Sequence, residues 1–261
     1  GYTPGDQYTR YRLCSNDSLS MTLDGPHVDV TVDHAPELTV TSQTLNQPKE
    51  ISAKQMERFQ QHLDTCKEYL DQLGVPNAIP EQLSIAINSM IPPAIGLASS
   101  AAVFSAIAKA IGALVADQIE LTNEQISVIA RLGSGSACRS IFGGYGAIRV
   151  NLDSNATDAA VGWQVADENH WLIHDIIIVS SHEEKKVSSS DGHPLAYTSP
   201  HFQNRSDRIQ AQRQIECIDA IQNRDFEKLQ RVAEIDCMDM HEQIMQQQEP
   251  PLYYLSDETY R

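Results

Sequence analysis

Apolar and polar residues alternate along the first third of the chain. Valine occupies every second position from Val28 to Val32, a spacing that places these side chains on one face of a β-strand. Residues 38–41 and 82–88 show the same alternation. The pattern predicts a β-rich N-terminal region.

Apolar residues at helical spacing occur in two segments of the same region. Across residues 51–73 they recur near helical spacing, with Ser52 and Gln55 as a candidate capping box and Gly74 as a stop signal. Residues 98–115 are rich in alanine and apolar on several faces, which predicts a buried helix.

The remainder of the chain is more helical. Residues 123–132 predict a helix and residues 145–152 a strand. Residues 171–180 contain Ile-Ile-Ile-Val, which is apolar on both faces and predicts a central strand. Residues 204–223 and 225–248 predict two long polar helices.

This order of elements predicts an α/β (α+β) protein with two lobes. The change of character after the strand at 145–152 predicts an N-terminal lobe, residues 1–160, and a C-terminal lobe, residues 161–261. With 261 residues, 41% of them hydrophobic, the chain can bury a core without disulfide bonds.

Charge and cysteine content exclude several classes of protein. A formal net charge of -16 repels nucleic acid and anionic membranes, so neither is expected as a partner, whereas a small anionic substrate can still bind donors in a pocket. No apolar run reaches the length of a membrane span and the first residues lack a secretory signal, so we expect a cytoplasmic protein. Five scattered cysteines predict reduced thiols and no zinc site.

Asp236, Asp239 and His241 are close together in the sequence and are candidate metal ligands. Only the two aspartates share a helix face at this spacing. A surface role is therefore favoured, and no metal-ligating residue is assigned.

The most informative segment lies between the strand at 82–88 and the buried helix. Residues 92–102 read Pro-Pro-Ala-Ile-Gly-Leu-Ala-Ser-Ser-Ala-Ala. Small residues let the backbone approach a ligand closely, and the unpaired amides at a helix start favour an anion such as phosphate. On composition alone, tight helix packing is the commoner reason for such a segment.

A second segment carries hydroxyl groups and an arginine. Residues 131–144 read Arg-Leu-Gly-Ser-Gly-Ser-Ala-Cys-Arg-Ser-Ile-Phe-Gly-Gly. The planar fork of Arg139 suits a carboxylate or phosphate, and a surface ion pair is the alternative. Cys138 has no identifiable histidine partner and is interpreted as a packing residue.

Both segments resemble the signature loops of the mevalonate diphosphate decarboxylases, a branch of the GHMP kinase superfamily. The resemblance continues through residues 16–23, 184–189, 198–200 and 240–241, and so covers nearly all of the chain. It implies the GHMP kinase fold, with an N-terminal lobe like ribosomal protein S5 domain 2, a ferredoxin-like C-terminal lobe and an active site between them. Homodimers are common in the family, so a homodimer is also expected.

The resemblance implies ATP-dependent decarboxylation of mevalonate 5-diphosphate to isopentenyl diphosphate in isoprenoid biosynthesis. In this reaction the 3-hydroxyl is phosphorylated, and phosphate and carbon dioxide then leave. The implied cofactors are ATP and Mg²⁺, with the ATP phosphates bound by Gly96, Leu97, Ala98, Ser99 and Ser100. The implied small-molecule substrate is a mevalonate phosphate, bound by Ser134, Ser136, Arg139, Ser189 and Ser190.

The sequence departs from the family pattern in three places. Ser190 stands where many bacterial members have an arginine, so the 5-monophosphate stays open as a substrate, with isopentenyl phosphate as its product. The lysine-bearing first strand and the late Asp-Ala-Gly-Pro-Asn motif of the family do not occur. No catalytic residue is therefore assigned, and we expect the chain to be part of a longer protein.

Two other functions stay open at this stage. One is a kinase of the same superfamily that phosphorylates a mevalonate without eliminating phosphate and carbon dioxide. The other is a non-catalytic GHMP relative that binds a nucleotide.

Overall fold

The computed structural model describes residues 9–92, 99–178, 192–253 and 255. Seven strands are described: β1 (Ser18–Met21), β2 (Val28–His34), β3 (Thr39–Thr44), β4 (Gln47–Lys49), β5 (Leu83–Ser89), β6 (Tyr145–Val150) and β7 (Ala160–Ala166). The described α-helices are α1 (Ala53–Gln72), α2 (Ser99–Leu114), α3 (Asn123–Gly133), α4 (Phe202–Arg208), α5 (Gln214–Asn223) and α6 (Phe226–Met238). Two 3-10 helices (Ala137–Ile141 and His193–Thr198) and two π-helical segments (Ile209–Arg213 and Asp239–Met245) complete the described elements.

The first sheet has four strands in the order β2-β5-β3-β4. β5 pairs antiparallel with β2 and parallel with β3, and β4 forms a hairpin with β3. The alternation in β5 buries Leu83, Ile85 and Ile87, as the period-two pattern predicts. α2 contacts β2 and β5, and α3 packs against α1 and α2. These elements enclose the larger hydrophobic core.

The capping signals of α1 operate as predicted. The Ser52 side chain accepts a hydrogen bond from the Gln55 amide, and the Gln55 side chain accepts one from the Ser52 amide. After the helix, Gly74 has a φ of +85°, a left-handed conformation that glycine adopts without steric cost. Both ends of this helix are therefore set by local sequence.

The second sheet is antiparallel, in the order β1-β6-β7. β7 begins at Ala160, next to the predicted lobe boundary, and pairs with β6 along its length. Asp17 links this sheet to the C-terminal helices, because its carboxylate accepts from the Val150 amide while its own amide donates to Gln210. The division into lobes at residues 1–160 and 161–261 stays a prediction.

Two long helical hairpin arms form the C-terminal part, as the polar helical patterns predict. α4 continues through the first π-helical segment into α5, and α6 continues into the second. Arginines of the first arm pair with aspartates of the second at 2.7–3.7 Å: Arg205, Arg208 and Arg213 with Asp236 and Asp239. These two aspartates, the candidate metal ligands in the sequence, are therefore ion-pair partners of arginines.

The predicted central strand at 171–180 is wrong over residues 171–178, which form no strand. Ile176 and Ile178 are 83% and 87% exposed. An apolar run indicates that a segment prefers to be buried, but it forms a strand only where a neighbouring strand supplies hydrogen bonds. In the part of the chain that the structure describes, no strand pairs with this segment. Among the described helices, none combines the length and apolar character needed to cross a membrane.

Candidate active site

The start of α2 lies beside a cavity of about 150 Å³. Ser99 and Ser100 begin the helix, so the backbone amides of its first turn have no partner within the helix. Gly96, Leu97 and Ala98, the other three residues predicted to bind phosphate, lie outside the described residues. The described residues that line the cavity are Ser42, Thr44, Lys49, Ile51, Gln55, Arg58, Phe59, Ile87, Ser89, Ile91, Ser99, Ser100, Val103 and Phe104.

The cavity wall carries two cations. Lys49 comes from β4 and Arg58 from α1, and the described lining includes no aspartate or glutamate. Although the whole chain has a formal net charge of -16, the local charge at this cavity is positive. Together with the hydroxyl groups and the helix start, this wall provides donors for a polyanion.

The predicted substrate loop meets the start of α2. α3 ends at Gly133, and Ser134 follows as its C-cap residue with 6% of its surface exposed. The Ser134 hydroxyl lies 3.2 Å from the Ser100 hydroxyl, within hydrogen-bond distance. Two residues that lie 34 positions apart in sequence, one from each predicted ligand loop, are therefore in direct contact.

Arg139 lies in the 3-10 helix Ala137–Ile141 and points its donors at β1. Its Nε donates to the Ser20 hydroxyl at 3.0 Å, and its Nη1 donates to the Ser18 hydroxyl. Because these serines are two residues apart on a strand, they lie on the same face. The guanidinium is held in place by hydroxyl groups, and no carboxylate pairs with it among the described ion pairs.

A close approach of backbone positions Arg139. A Cβ at Gly146 of β6 would lie 2.3 Å from the Arg139 carbonyl oxygen, so a side chain there would push the 3-10 helix away from the sheet. Ser136 precedes this helix, and its carbonyl accepts from the Arg139 amide at 3.3 Å. Ser189 and Ser190, the remaining predicted substrate ligands, lie outside the described residues.

Cys138 is fully buried, and its thiol donates to the Gly135 carbonyl at 3.2 Å. Burial is the main cause that raises the pKa of this thiol to about 12. The group therefore stays protonated at neutral pH and is a poor nucleophile. Its place in the smaller hydrophobic core supports the packing role that the sequence predicts.

Sequence reasoning did not single out four residues of this region: Ser18, Ser20, Lys49 and Arg58. The serines lie within residues 16–23, a segment that contributes to the family resemblance but has no role assigned from sequence. Their contact with Arg139 spans 119 and 121 positions, and local periodicity carries no information over that distance.

The mixed helix-and-sheet fold, with a small-residue helix start beside a serine and arginine loop, is of the GHMP kinase type. The sequence matches the diphosphomevalonate decarboxylase-like N-terminal domain over residues 3–160 and the mevalonate 5-diphosphate decarboxylase C-terminal domain over residues 175–261. The chain belongs to the diphosphomevalonate decarboxylase family.

Individual relatives agree with this assignment. The chain is 32% identical to a diphosphomevalonate decarboxylase of Ganoderma lucidum over 97% of its own length, and it spans 64% of the length of that relative. Its structure matches a mevalonate diphosphate decarboxylase from Staphylococcus aureus with a TM-score of 0.78 and 26% identity, covering 99% of this chain and 74% of that one. A further match, with a TM-score of 0.74 and 26% identity over 98% of this chain and 74% of that one, is MDDEF in complex with MVAPP, AMPPCP and magnesium. These matches confirm the predicted fold class.

Proposed function

We propose that this protein takes part in ATP-dependent decarboxylation of mevalonate 5-diphosphate to isopentenyl diphosphate. The observation that carries the proposal is the 3.2 Å contact between Ser100 and Ser134. It places the start of α2, which suits phosphate, against the loop that suits the acidic substrate. A nucleotide on one side of this contact and a mevalonate phosphate on the other would bring the transferred phosphoryl group to the substrate hydroxyl.

The nucleotide is assigned to the cavity beside α2. Amides of the first helical turn and the hydroxyls of Ser99 and Ser100 donate to its phosphates, and Lys49 offsets their charge. The cavity suits a polyphosphate because its described lining has donors and cations but no acid. Mg²⁺ would be bound by phosphate oxygens and a serine hydroxyl, and it neutralises charge on the transferred group. The complex of MDDEF with AMPPCP, an ATP analogue, and magnesium supports the choice of ATP and Mg²⁺ as cofactors.

The substrate is assigned to the loop from Ser134 to Arg139. Arg139 is held by Ser18 and Ser20 and presents a planar guanidinium to the carboxylate that leaves as carbon dioxide, while Ser134 and Ser136 donate to the substrate oxygens. Ser189 and Ser190 are proposed for its terminal phosphates. Fixed donors of this kind position a reacting group without reorganising in the transition state.

Arg139 provides the test of this assignment. Since a desolvated carboxylate loses its partner, Arg139→Ala is expected to cost on the order of 2 to 5 kcal/mol of transition-state stabilisation. Arg139→Lys keeps the charge but loses the fork and should recover only part of the rate. Arg231→Ala is the matched control, because that arginine is exposed on α6. ADP and carbon dioxide are measured together, with circular dichroism as the folding control. Unchanged turnover in a folded Arg139→Ala protein would refute the assignment.

Substrate comparison separates the alternatives. A preference for the 5-monophosphate over the 5-diphosphate would favour a phosphomevalonate decarboxylase, which the serine at position 190 leaves open. ADP release without carbon dioxide indicates a kinase, and nucleotide binding without turnover of either substrate indicates a binding protein.

We further propose a homodimer in the cytoplasm. All five cysteines are free in the structure, as expected in a reducing compartment. Sedimentation of the purified chain tests the dimer, and the reactivity of its thiols after rapid alkylation in cells tests the redox state.

A further inference from the structure

Arg58 bridges the two proposed ligand sites. It lies on α1 and lines the cavity beside α2, and two of its donors reach the other site. Its Nε and Nη2 atoms donate to the Gly133 carbonyl at 3.2 and 2.8 Å. That carbonyl is at the C-terminal end of α3, where it has no partner within the helix. Arg58 therefore holds the residue that directly precedes Ser134.

The same guanidinium lies over the ring of Phe104, with its carbon 4.7 Å from the ring centroid, within the range of a cation–π contact. Phe104 is on α2, and its ring also contacts Gly133 so closely that a Cβ on that glycine would lie 2.0 Å from a ring atom. Arg58, Phe104 and Gly133 thus form one packed unit. This unit connects the helix that starts at Ser99 with the loop that starts at Ser134.

A second arginine provides an internal comparison. Arg12 Nε donates to the Leu132 carbonyl at 3.0 Å, so it caps the same end of α3 one residue earlier. Arg12 is not among the residues that line the cavity, and no described ring contact joins it to Phe104. Two arginines therefore stabilise the end of α3, but only Arg58 also contacts the nucleotide side.

We propose that Arg58 is a positioning residue that couples the nucleotide cavity to the substrate loop, through its joint contact with Phe104 and the Gly133 carbonyl. The inference rests on the proposed function. A substrate that orders Ser134 also fixes Gly133 and, through Arg58 and Phe104, the wall of the cavity. Binding of one ligand then lowers the cost of ordering the site for the other.

The test measures the affinity of a nonhydrolysable ATP analogue with Mg²⁺ by calorimetry, with and without saturating mevalonate 5-diphosphate. In the wild-type chain we expect the substrate to tighten nucleotide binding by about fivefold or more. Arg58→Lys keeps the positive charge but loses the planar fork and its stacking. In this variant the tightening by substrate, measured as the ratio of its own two nucleotide affinities, should fall to about one.

Arg12→Lys is the matched control and should keep the tightening seen in wild type, since it changes only a cap of α3. Thermal melting of both variants shows whether they fold. The inference is overturned if Arg58→Lys retains the wild-type tightening, if Arg12→Lys loses it equally, or if wild type binds both ligands independently. The last result leaves the proposed function in place. A wild-type chain that binds neither ligand overturns the proposed function and this inference together.

Discussion

Different forces stabilise the N-terminal part and the C-terminal part of the molecule. Every buried residue of the larger hydrophobic core lies between Phe59 and Phe142. The C-terminal helical arms bury few apolar side chains and are joined instead by the cluster of three arginines and two aspartates. Apolar burial is proportional to area and tolerates salt, whereas ion pairs depend on geometry and screening. The candidate active site lies on the part that is stabilised by apolar burial, so its loops start from well-packed helices and strands.

The largest loss of stability is expected at Phe104, which belongs to the hydrophobic core and also lines the cavity of the candidate site. Phe104 is 3% exposed, and its ring lies 5.5 Å from that of Phe59 and 4.9 Å from that of His62. Phe104→Ala should therefore lower the free energy of unfolding by about 3 to 5 kcal/mol. Phe226→Ala is the control in the C-terminal part, where the ring is 57% exposed, and it should cost less than about 1 kcal/mol. Urea denaturation measures both. Equal losses would show that the two parts do not differ in this way.

His62 gives the core a dependence on pH. Burial is the main cause that lowers the pKa of this histidine to about 4, from an ordinary value of 6.5. The unfolded chain binds a proton here below about pH 6.5, but the folded chain does not until about pH 4. The contribution of His62 to the free energy of unfolding is therefore full above pH 6.5. It falls as the pH drops toward 4, by about 3 kcal/mol in total.

The matched variant for this prediction is His62→Gln, whose amide can still donate to the Ile129 carbonyl that the histidine contacts at 2.8 Å. Its unfolding free energy should vary less with pH than that of wild type between pH 6.5 and 4. A pH profile with the same slope in both proteins would assign the acid sensitivity to other groups.

The stability of the C-terminal arms should instead depend on the charges of the arginine and aspartate cluster. Asp239 has a side chain that is 10% exposed and pairs with Arg205, Arg208 and Arg213. Asp239→Asn leaves Asp236 as the one aspartate of the cluster, paired with Arg205 and Arg213 but not with Arg208, and should cost about 1 to 3 kcal/mol. Asp219→Asn breaks a more exposed pair with Lys228 and should cost less than about 1 kcal/mol. Melting at low and high salt compares them. A larger loss for Asp219→Asn would contradict the view that this cluster joins the arms.

The elements that sequence predicts well are those with local causes. The Ser52 and Gln55 capping box and Gly74 define α1 to within two residues, and period-two apolar positions define β2 and β5. β1 and β7 were missed. β1 is Ser-Leu-Ser-Met and β7 contains Ala160 and Gly162, so neither presents a run of large apolar residues. Their pairing with β6 is a long-range property.

The residues of the candidate site also fall into those with a local sequence signal and those without one. Ser100, Ser134 and Arg139 were found because contiguous motifs surround them, whereas Arg58 and Lys49 stand in ordinary helix and strand contexts. Their place at the cavity follows from how α1 and β4 pack. No spacing rule within a single sequence relates residue 58 to residue 133.

The smallest effect is expected in the apolar segment that forms no strand. Ile178 is 87% exposed, so Ile178→Ser removes little buried area and should change the free energy of unfolding by less than about 0.5 kcal/mol. Ile107→Ser is the contrasting variant, since that residue is 1% exposed in the core, and it should cost several times more because it also buries a hydroxyl group. Chemical denaturation gives both values, and light scattering over a range of concentrations shows whether Ile178→Ser lowers self-association, as removal of an exposed apolar patch should. If Ile178→Ser proved as costly as Ile107→Ser, the segment would be packed in solution, and the contrast between an apolar N-terminal core and a charge-linked C-terminal part would no longer hold.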